Sequence, residues 1–348
     1  MQRHFRILAI CAALVLGGCG FISGAAESSP VDTGKVEART NDDIGEWKIV
    51  LNQVDAAIAA NDFAALDKLE AQYRTSRART PGGGWKLGAF HAELQFNLTK
   101  GMSRENGCAA PGSAFAAKWL RHSPAAPAAV ITSAAMSVRK AWCIRGDGYS
   151  GSVPSQAWPR FRAAIDDGFD RLTAARAAAS IDPEYYAVMA KIYRSRGVDQ
   201  TETMALVREA TDREPYYGRI YFEAVFNFLP QWGGSMAEVD QFARYAAERT
   251  RTSDKLGYYA RVYWFLDQCG CANIAKDADW DTMKQAMHDV VERYPAPSNA
   301  KYFMDLSCKR GDADAAMPFI RLLTPTALSD ADRILWIKAC ENSAQPSG

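Results

Sequence analysis

The sequence predicts an all-α protein in which irregular helical hairpins stack side by side as an α-solenoid. Apolar residues recur at intervals of three and four positions from Glu46 onward, which is the spacing of one buried helix face. Helix start and stop residues recur along the same part of the chain. No sustained alternation of apolar and polar residues, the pattern of a half-buried strand, accompanies them. The helical-hairpin domain is therefore expected to span 46–342, with a weak possible division near 270.

The first predicted hairpin consists of two amphipathic helices. Val50 and Val54 lie on one face of a predicted helix, which is interrupted at Asn61. Leu66 and Tyr73 share a face of the next helix, which completes an antiparallel pair. The same periodicity predicts further helices over 85–100, 113–122, 125–145, 156–180, 184–196, 201–213, 216–229, 236–250, 255–268, 280–294, 298–309, 313–323 and 330–341.

Several residues have the chemistry of helix caps. Ser235 precedes Glu238 by three positions, which is the spacing of a capping box. A serine or aspartate at such a position supplies an acceptor for the unpaired N–H groups of the first turn. Glycine just after a helix adopts the left-handed conformation that ends it. The other expected signals are Asp199 with Glu202, Ser329 with Asp332, the run Asp182-Pro183-Glu184, and the glycines Gly197 and Gly311.

The hairpins have a period close to that of tetratricopeptide repeats. Pro183 and Pro215, each preceded by an acidic residue, lie about 32 residues apart, near the repeat of about 34 residues in that class. The full consensus of small and aromatic residues is not met, and other hairpins differ in length. The repeats are therefore expected to be tetratricopeptide-like but irregular, and a closed helical bundle is the alternative.

The N terminus has the organisation of a secretory signal peptide. Arg3 and Arg6 form a positive region, and an uncharged apolar run follows over 7–16. That run is shorter than the roughly 20 apolar residues of a membrane-spanning helix. The sequence Leu16-Gly17-Gly18-Cys19 resembles the bacterial lipobox, which implies that Cys19 becomes a lipidated N-terminus. An export signal that merely ends in small residues is the alternative.

The residues after the signal peptide indicate where the protein resides. The signal peptide covers 1–18, and the lipidated N-terminus with a flexible tether covers 19–45, because this segment has few large apolar side chains. Residues 343–348 are expected to form a disordered tail. Gly20, rather than aspartate, follows the lipidated position, and the resemblance to outer-membrane lipoproteins therefore places the protein at the outer membrane, facing the periplasm.

Composition and charge exclude one large class of function. The 348 residues are 48% hydrophobic, so the chain is able to bury a core, and the formal net charge is +1. Removal of Arg3 and Arg6 with the signal peptide brings the balance of charge close to zero. Nucleic-acid-binding domains usually have a pI above about 9. The sequence therefore predicts no nucleic-acid partner, and membrane contact only through the N-terminal lipid.

The cysteines are expected to form disulfides. Of eight cysteines, Cys11 is lost with the signal peptide and Cys19 carries lipid. An even number then remains in an oxidising compartment, which favours bridges. An antiparallel helix pair brings Cys108 and Cys143 to the same end, and so predicts a bridge between them. The remaining four are expected to form two bridges, with Cys271–Cys308 or Cys269–Cys308 the first pair and Cys340 in the other, and a Cys₄ zinc site is the alternative.

Three stretches carry a resemblance to a known family. They are Gly83-Gly84-Trp85-Lys86-Leu87, Ala141-Trp142-Cys143-Ile144-Arg145-Gly146 and Leu229-Pro230-Gln231-Trp232-Gly233-Gly234-Ser235, the last followed by Tyr259-Ala260-Arg261. Together they resemble a bacterial family of helical, tetratricopeptide-like proteins, the domain of unknown function numbered 4034. The resemblance covers roughly residues 46–270. It implies a helical fold and no particular activity.

Two glycine-rich loops with a tryptophan are the candidate binding or structural residues: Trp85, Trp232, Gly233 and Gly234. The glycines allow backbone geometry that other residues avoid, and Ser235 is placed to cap the next helix. Trp232 is expected to fold back on its hairpin as a plug, with its indole N–H bonded to a carbonyl. The functional alternative is a groove for a peptide or glycan that Trp232 and Trp85 line with Tyr216, Tyr217 and Tyr221.

Catalytic motifs are weak. His91 and Glu93 form an H-x-E without the P-C-x-x-C partner of zinc deaminases. The paired carboxylates Asp166 with Asp167 and Asp330 with Asp332 have the chemistry of a glycosidase, but adjacent aspartates near helix ends more often act as caps. No catalytic residue, metal ion or cofactor is therefore predicted. A lipid-anchored, non-catalytic module that binds a protein or peptide is the expected function, and an envelope hydrolase or carbohydrate-active enzyme using paired carboxylates is the alternative.

Overall fold

The computed structural model of the protein describes residues 43–146 and 148–323, and five residues beyond them, 334, 335, 337, 338 and 340. Within these residues the fold is all-helical, as predicted, apart from one isolated antiparallel bridge between Arg79 and Trp85. None of the helices described in this part of the chain is long and apolar enough to cross a lipid bilayer. The predicted signal peptide, Cys19, most of the tether and the C-terminal tail lie outside the described residues.

The helices follow one another with short connections and are numbered here in chain order. Short 3-10 turns cover Ser150–Ser152, Val225–Phe228 and Pro230–Trp232. The α-helices are α1 (Asp43–Ala60), α2 (Phe63–Ser76), α3 (Lys86–Thr99), α4 (Pro111–His122), α5 (Pro127–Arg145), α6 (Ala157–Ala174), α7 (Arg176–Ala179), α8 (Glu184–Arg196), α9 (Gln200–Arg213), α10 (Gly218–Ala224), α11 (Met236–Asp254), α12 (Gly257–Gln268), α13 (Ile274–Asp277), α14 (Trp280–Arg293), α15 (Pro297–Arg310) and α16 (Ala313–Leu323).

Helix α1 begins earlier than the sequence suggested. The tether was expected to extend to residue 45, but the helix already includes Asp43. Its carboxylate is buried and accepts a hydrogen bond of 2.6 Å from the backbone N–H of Gly82. A tertiary contact therefore holds the first turn in place, and no local sequence pattern reveals such a contact.

The capping residues act as expected where they are described. The side chain of Asp199 accepts a hydrogen bond from the backbone N–H of Glu202 at 2.9 Å, and Ser235 accepts one from Glu238 at 3.2 Å. Gly197 ends α8 with a positive φ of 70°. Gly311 ends α15 in the same conformation. The cap predicted at Ser329 and Asp332 lies outside the described residues.

Two predicted helices are divided. The helix predicted over 156–180 is interrupted at Ala175, between α6 and α7. The periodicity predicted a continuous helix over 216–229, whereas α10 ends at Ala224 and a 3-10 turn continues to Phe228. Leu229 then adopts an extended conformation, as residues before a proline commonly do. The tighter turn is the local consequence of approaching Pro230.

The helices pack mainly on neighbours in the sequence. For example, α5 packs on α6, α11 on α12, and α15 on α16. One apolar core lies among α1 to α5 and includes Trp47 and Trp119, both buried. A larger core begins in α5 and continues across position 270, with Leu266 and Met283 in the same cluster. Helix α5 contributes to both cores and therefore links them.

The segment 77–85, between α2 and α3, also contacts residues far along the chain. Arg77 pairs with Glu214 at 2.6 Å. The carbonyl oxygen of Gly82 accepts hydrogen bonds from Arg261 at 2.7 Å and from Asn299 at 3.2 Å. We call this segment the closing loop, because it joins the N-terminal helices to α12 and α15.

Candidate functional site

A cavity of about 750 Å³ lies beside the closing loop. Its walls come from α1, α3, α10, α12 and α15, so residues from both ends of the described chain meet there. The volume lies within the roughly 300–1,000 Å³ of ordinary ligand pockets. Eight of the described lining residues are aromatic: Trp47, Trp85, Tyr217, Phe222, Tyr258, Trp264, Tyr302 and Phe303.

The glycines of the closing loop allow this cavity to form. Gly83 has a positive φ of 90°, which side chains rarely tolerate. A Cβ atom on Gly82 would lie 2.7 Å from the Asp43 carboxylate, and one on Gly84 would lie 2.7 Å from the Trp47 ring. Gly82 and Gly84 therefore let α1 pack directly on the loop backbone, which carries Trp85 into the wall.

The aromatic side chains differ in how much surface they offer a ligand. Trp85 is 5% exposed and packs edge-on against Tyr217 at 5.5 Å between ring centroids. Trp264 and Tyr302 are only half-buried, and their rings meet nearly at right angles at 5.8 Å. These two rings are the accessible aromatic surface, whereas Trp85 shapes the wall behind it.

The acidic side chains of the cavity already have partners. Asp267 accepts a hydrogen bond of 2.9 Å from the hydroxyl of Tyr302. Asp305 forms an ion pair with Lys301 at 3.3 Å. Asp43 is bonded to the closing loop as well, so two of the three acids among the described wall residues, Asp43 and Asp267, hold neighbouring elements together. The pair between Asp305 and Lys301 is exposed. Positive and negative charges alternate at the rim, where Lys309 lies 3.9 Å from Asp267.

A buried ion pair supports one wall. Arg219 donates two hydrogen bonds to Glu184, at 2.6 and 2.8 Å, and the hydroxyl of Tyr217 donates a third at 2.7 Å. Burial raises the pKa of Glu184, but Arg219 and His91 outweigh it and hold that pKa below its ordinary value. Glu184 is therefore an acceptor for the wall and is not suited to act as an acid near neutral pH.

His91 belongs to the interior and not to the cavity. It is 1% exposed, and its Nε2 lies 2.7 Å from a carboxylate oxygen of Asp182. Asp182 also accepts a hydrogen bond of 2.9 Å from the backbone N–H of Glu184 at the start of α8. Burial and the nearby Asp182 raise the pKa of Glu70 in the same cluster to about 7. The H-x-E motif is thus a satisfied core cluster, with Glu93 bonded instead to Asn97 at 2.6 Å.

The structure separates the two tryptophans that the groove hypothesis combined. Trp85 and Tyr217 line the cavity, but Trp232 is not among the described residues of its wall. Trp232 packs edge-on against Trp142 at 5.8 Å and lies under the Arg194 guanidinium. The residue is 38% exposed and packs on α5 and α8, so the expected plug on its own hairpin is wrong.

The remaining groove candidates are also distributed. Tyr221 is fully buried, and its hydroxyl donates to the carbonyl oxygen of Pro215 at 2.8 Å. Tyr216 lies beside the Arg79 guanidinium of the closing loop. The glycines after Trp232 have separate roles, because Gly233 adopts a φ of 89° and a Cβ on Gly234 would collide with the backbone of Phe228.

The paired carboxylates have structural partners. Asp167 in α6 accepts hydrogen bonds from Arg171 at 2.8 Å and from Ser137. Asp166 lies 3.4 Å from Arg196. Neither aspartate is among the described residues of the cavity wall. The other candidate pair, Asp330 with Asp332, lies outside the described residues.

The disulfides differ in part from the expected pairing. Cys108 and Cys143 are bridged, with their Cα atoms 5.7 Å apart. The predicted bridge from Cys308 to Cys269 or Cys271 is wrong, because Cys308 pairs with Cys340 and Cys269 pairs with Cys271. The turn at Gly270, with a φ of 64°, brings the two cysteines on either side of it within 5.2 Å between Cα atoms. These two bridges contain the same four cysteines that the alternative zinc site would need as ligands.

Sequence reasoning missed most of the cavity wall. A weak signal existed for α12, because Tyr258, Arg261 and Trp264 recur at the spacing of one helix face. A buried apolar face gives the same pattern, so the sequence did not distinguish wall from core. The described residues contain no cluster of His, Cys, Asp and Glu that would hold a metal ion.

Comparison of the chain with protein-family models, with curated proteins and with solved structures finds no match. The resemblance to the family of unknown function numbered 4034 therefore stays a prediction.

Proposed function

We propose that this chain is a lipid-anchored protein of the bacterial envelope whose aromatic cavity binds a peptide segment of a partner protein. The observation that carries the proposal is the cavity itself, which combines accessible aromatic rings at Trp264 and Tyr302 with charges of both signs at its rim. Apolar pockets with a few convergent polar groups are the usual form of a binding site.

The chemistry of the wall suits a peptide. Aromatic rings provide large contact areas for apolar side chains, and such rings dominate binding energy at protein interfaces. The carboxylate of Asp305 and the ammonium group of Lys309 supply an acceptor and donors at the rim. A peptide carries donors, acceptors and charges of both signs, and therefore complements this mixture better than a uniformly anionic ligand does.

Binding is favoured over hydrolysis by the state of the carboxylates. An acid catalyst needs a pKa raised towards neutrality and a position facing the substrate. Burial and Asp55 raise the pKa of Glu93 to about 7, and Glu70 has a similar pKa, but neither residue is among those described in the cavity wall. Asp43 and Asp267 in the wall are already hydrogen-bonded to neighbouring elements, which supports binding.

The architecture that we propose is an irregular α-solenoid with its ends drawn together. Successive helices pack on their sequence neighbours, which is typical of stacked hairpins. The closing loop adds contacts across the stack through Gly82. The predicted lipid on Cys19 and the tether after it would hold the cavity near the membrane surface, at the periplasmic face of the outer membrane.

The test uses the purified full-length protein in detergent and a library of random twelve-residue peptides displayed on phage. Enriched peptides are synthesised and titrated by calorimetry. Trp264→Ala should weaken their binding at least tenfold, because it removes accessible aromatic surface from the cavity. Trp158→Ala is the matched control, since Trp158 is also half-buried but lies outside the cavity wall. Failure to enrich any peptide, or equal weakening by both changes, would contradict the proposal.

A further inference from the structure

The bridge between Cys269 and Cys271 is more accessible than the other bridges of the described chain. Both of its cysteines are half-buried, and Gly270 between them is exposed. The cysteines of the other two bridges are all buried, from 2% exposed at Cys340 to 8% exposed at Cys308. Thiol–disulfide exchange requires a thiolate to reach a sulfur atom of the bridge. The bridge between Cys269 and Cys271 is therefore the one that an external thiolate reaches most easily.

This bridge also contributes little to holding the fold together. It spans a sequence separation of 2, whereas the other bridges span 35 and 32. In the chain-entropy account, a bridge stabilises a protein in proportion to the logarithm of the loop that it closes. Breaking and remaking the bridge between Cys269 and Cys271 therefore leaves the rest of the structure in place.

The backbone at the end of α12 provides a hydrogen-bond acceptor for the reduced thiol of Cys269. Gly270 and Cys271 donate their N–H groups to Asp267 and Leu266, at 3.0 and 2.9 Å, in the pattern of a Schellman helix end. The sulfur of Cys269 lies 3.2 Å from the carbonyl oxygen of Leu266. A thiol released at Cys269 would thus have an acceptor at once, whereas no acceptor among the described residues is bonded to the Cys271 sulfur.

We propose that Cys269-Gly270-Cys271 is a redox-active pair that exchanges electrons with the cysteine thiols of a peptide or protein substrate. It goes beyond the binding function proposed above. The pair follows Asp267 and Gln268, two residues of the cavity wall, in the chain. The cavity would deliver the substrate cysteine to this pair, and that delivery step rests on the proposed function. The exchange at the cysteine pair does not depend on it.

Two thiolates of the substrate reduce the bridge in two steps. A substrate thiolate attacks the sulfur of Cys271, the bond to Cys269 breaks, and Cys269 leaves with the electron pair and takes up a proton. A second substrate thiolate then attacks the mixed disulfide and releases Cys271. The substrate dithiol is oxidised to a disulfide, and two electrons and two protons are now on the cysteine pair. A small-molecule or protein disulfide of the envelope reoxidises the pair by the reverse steps.

The first experiment equilibrates the full-length protein with glutathione buffers of increasing reduction, followed by acid quench, alkylation and peptide mass spectrometry. The bridge between Cys269 and Cys271 should open at a ratio of reduced to oxidised glutathione at least tenfold lower than the bridge between Cys108 and Cys143. The other two bridges serve as internal controls. Opening of all three bridges together, or mapping of Cys269 to Cys308 or Cys340, would overturn the proposal.

The second experiment tests the roles of the two sulfurs with glutathione as the probe. Cys269→Ser should accumulate a stable mixed disulfide on Cys271, because the leaving partner is absent. Cys271→Ser should accumulate several-fold less, since Leu266 holds the remaining thiol. Equal accumulation in the two variants would contradict the assigned roles.

The third experiment separates this activity from peptide binding. A peptide selected by the cavity is synthesised with two added cysteines, and its oxidation by oxidised glutathione is followed with wild type and with Trp264→Ala. Wild type should accelerate the reaction, and the tryptophan variant should lose the acceleration for the peptide while it still exchanges with glutathione. Exchange with glutathione but no peptide effect would overturn the delivery step alone, and loss of both reactions in wild type would overturn the redox proposal.

Discussion

Arg261 donates a hydrogen bond of 2.7 Å to the carbonyl oxygen of Gly82, although 179 positions separate the two residues in the chain. The same oxygen also accepts a bond from Asn299. This single backbone group therefore ties α12 and α15 to the loop that precedes α3. The aromatic cavity lies beside this junction, and its volume depends on the loop remaining there.

Arg79 should be the most important side chain of the closing loop. It is the cation beside the buried Asp254, at 3.7 Å, and its guanidinium lies within 6 Å of the rings of Trp85, Tyr216 and Tyr294. Arg79→Met leaves a buried carboxylate without its cation, which costs about 3–5 kcal/mol of unfolding free energy. Urea denaturation measures the loss.

The matched control for that change is Arg77→Met in the same loop. The Arg77 side chain is 60% exposed, and its pair with Glu214 is at the surface. Exposed ion pairs contribute about 0–1 kcal/mol, so this variant should be nearly as stable as wild type. Equal losses for the two variants would show that the buried carboxylate does not decide the stability of the junction.

Stability should fall as pH rises from about 4.5 to 7. Burial and Asp182 raise the pKa of Glu70 from 4.5 to about 7, so the folded protein keeps a proton that the unfolded chain has lost in this window. Burial lowers the pKa of His91, but Asp182, together with Glu184 and Glu70, outweighs it and raises that pKa, which acts in the same direction. The contribution of Glu70 is about 3 kcal/mol at most.

Melting temperatures at pH 5 and pH 8 test this prediction. Glu70→Gln should reduce the difference between the two values, because the amide does not titrate. Glu105→Gln is the control, since Glu105 is exposed and lies away from the cluster around His91. An unchanged difference in the Glu70 variant would show that another group dominates the pH dependence.

The disulfides should differ in their effect on stability. Replacing Cys108 and Cys143 with alanine opens a loop with a sequence separation of 35 and should cost about 3–4 kcal/mol. Replacing Cys269 and Cys271 should cost only about 1–2 kcal/mol, because their loop is so short. Urea denaturation of both double variants under oxidising conditions compares them. A larger loss for the second pair would contradict the view that it is not a structural bridge.

Processing of the N-terminus is a further testable expectation. If the Leu16-Gly17-Gly18-Cys19 sequence acts as a lipobox, Cys19→Ala should abolish incorporation of an alkyne fatty acid and partitioning into detergent. Metabolic labelling of wild type and variant in a bacterial host measures this. Equal labelling of the two proteins would rule out lipidation at that position.

The sequence by itself determined most of the helices and the ends that a local cap defines. Ser235 and Glu238, or Gly197 after α8, act within one turn of the chain, so their spacing is enough to predict their contacts. The bridge between Cys108 and Cys143 was also predictable from the sequence, because two successive antiparallel helices bring their outer ends together. Such inferences succeed where the contact depends on one or two elements only.

Only the tertiary structure decided what these helices form together. Trp85 and Trp232 look alike in the sequence, each beside a run of glycines, yet one lines the cavity and the other packs on Trp142 at a different place. The bond from Arg261 to Gly82 depends on the summed angles of every hairpin between them. Small differences in each packing angle accumulate along the stack, and local sequence patterns therefore do not specify which distant residues meet.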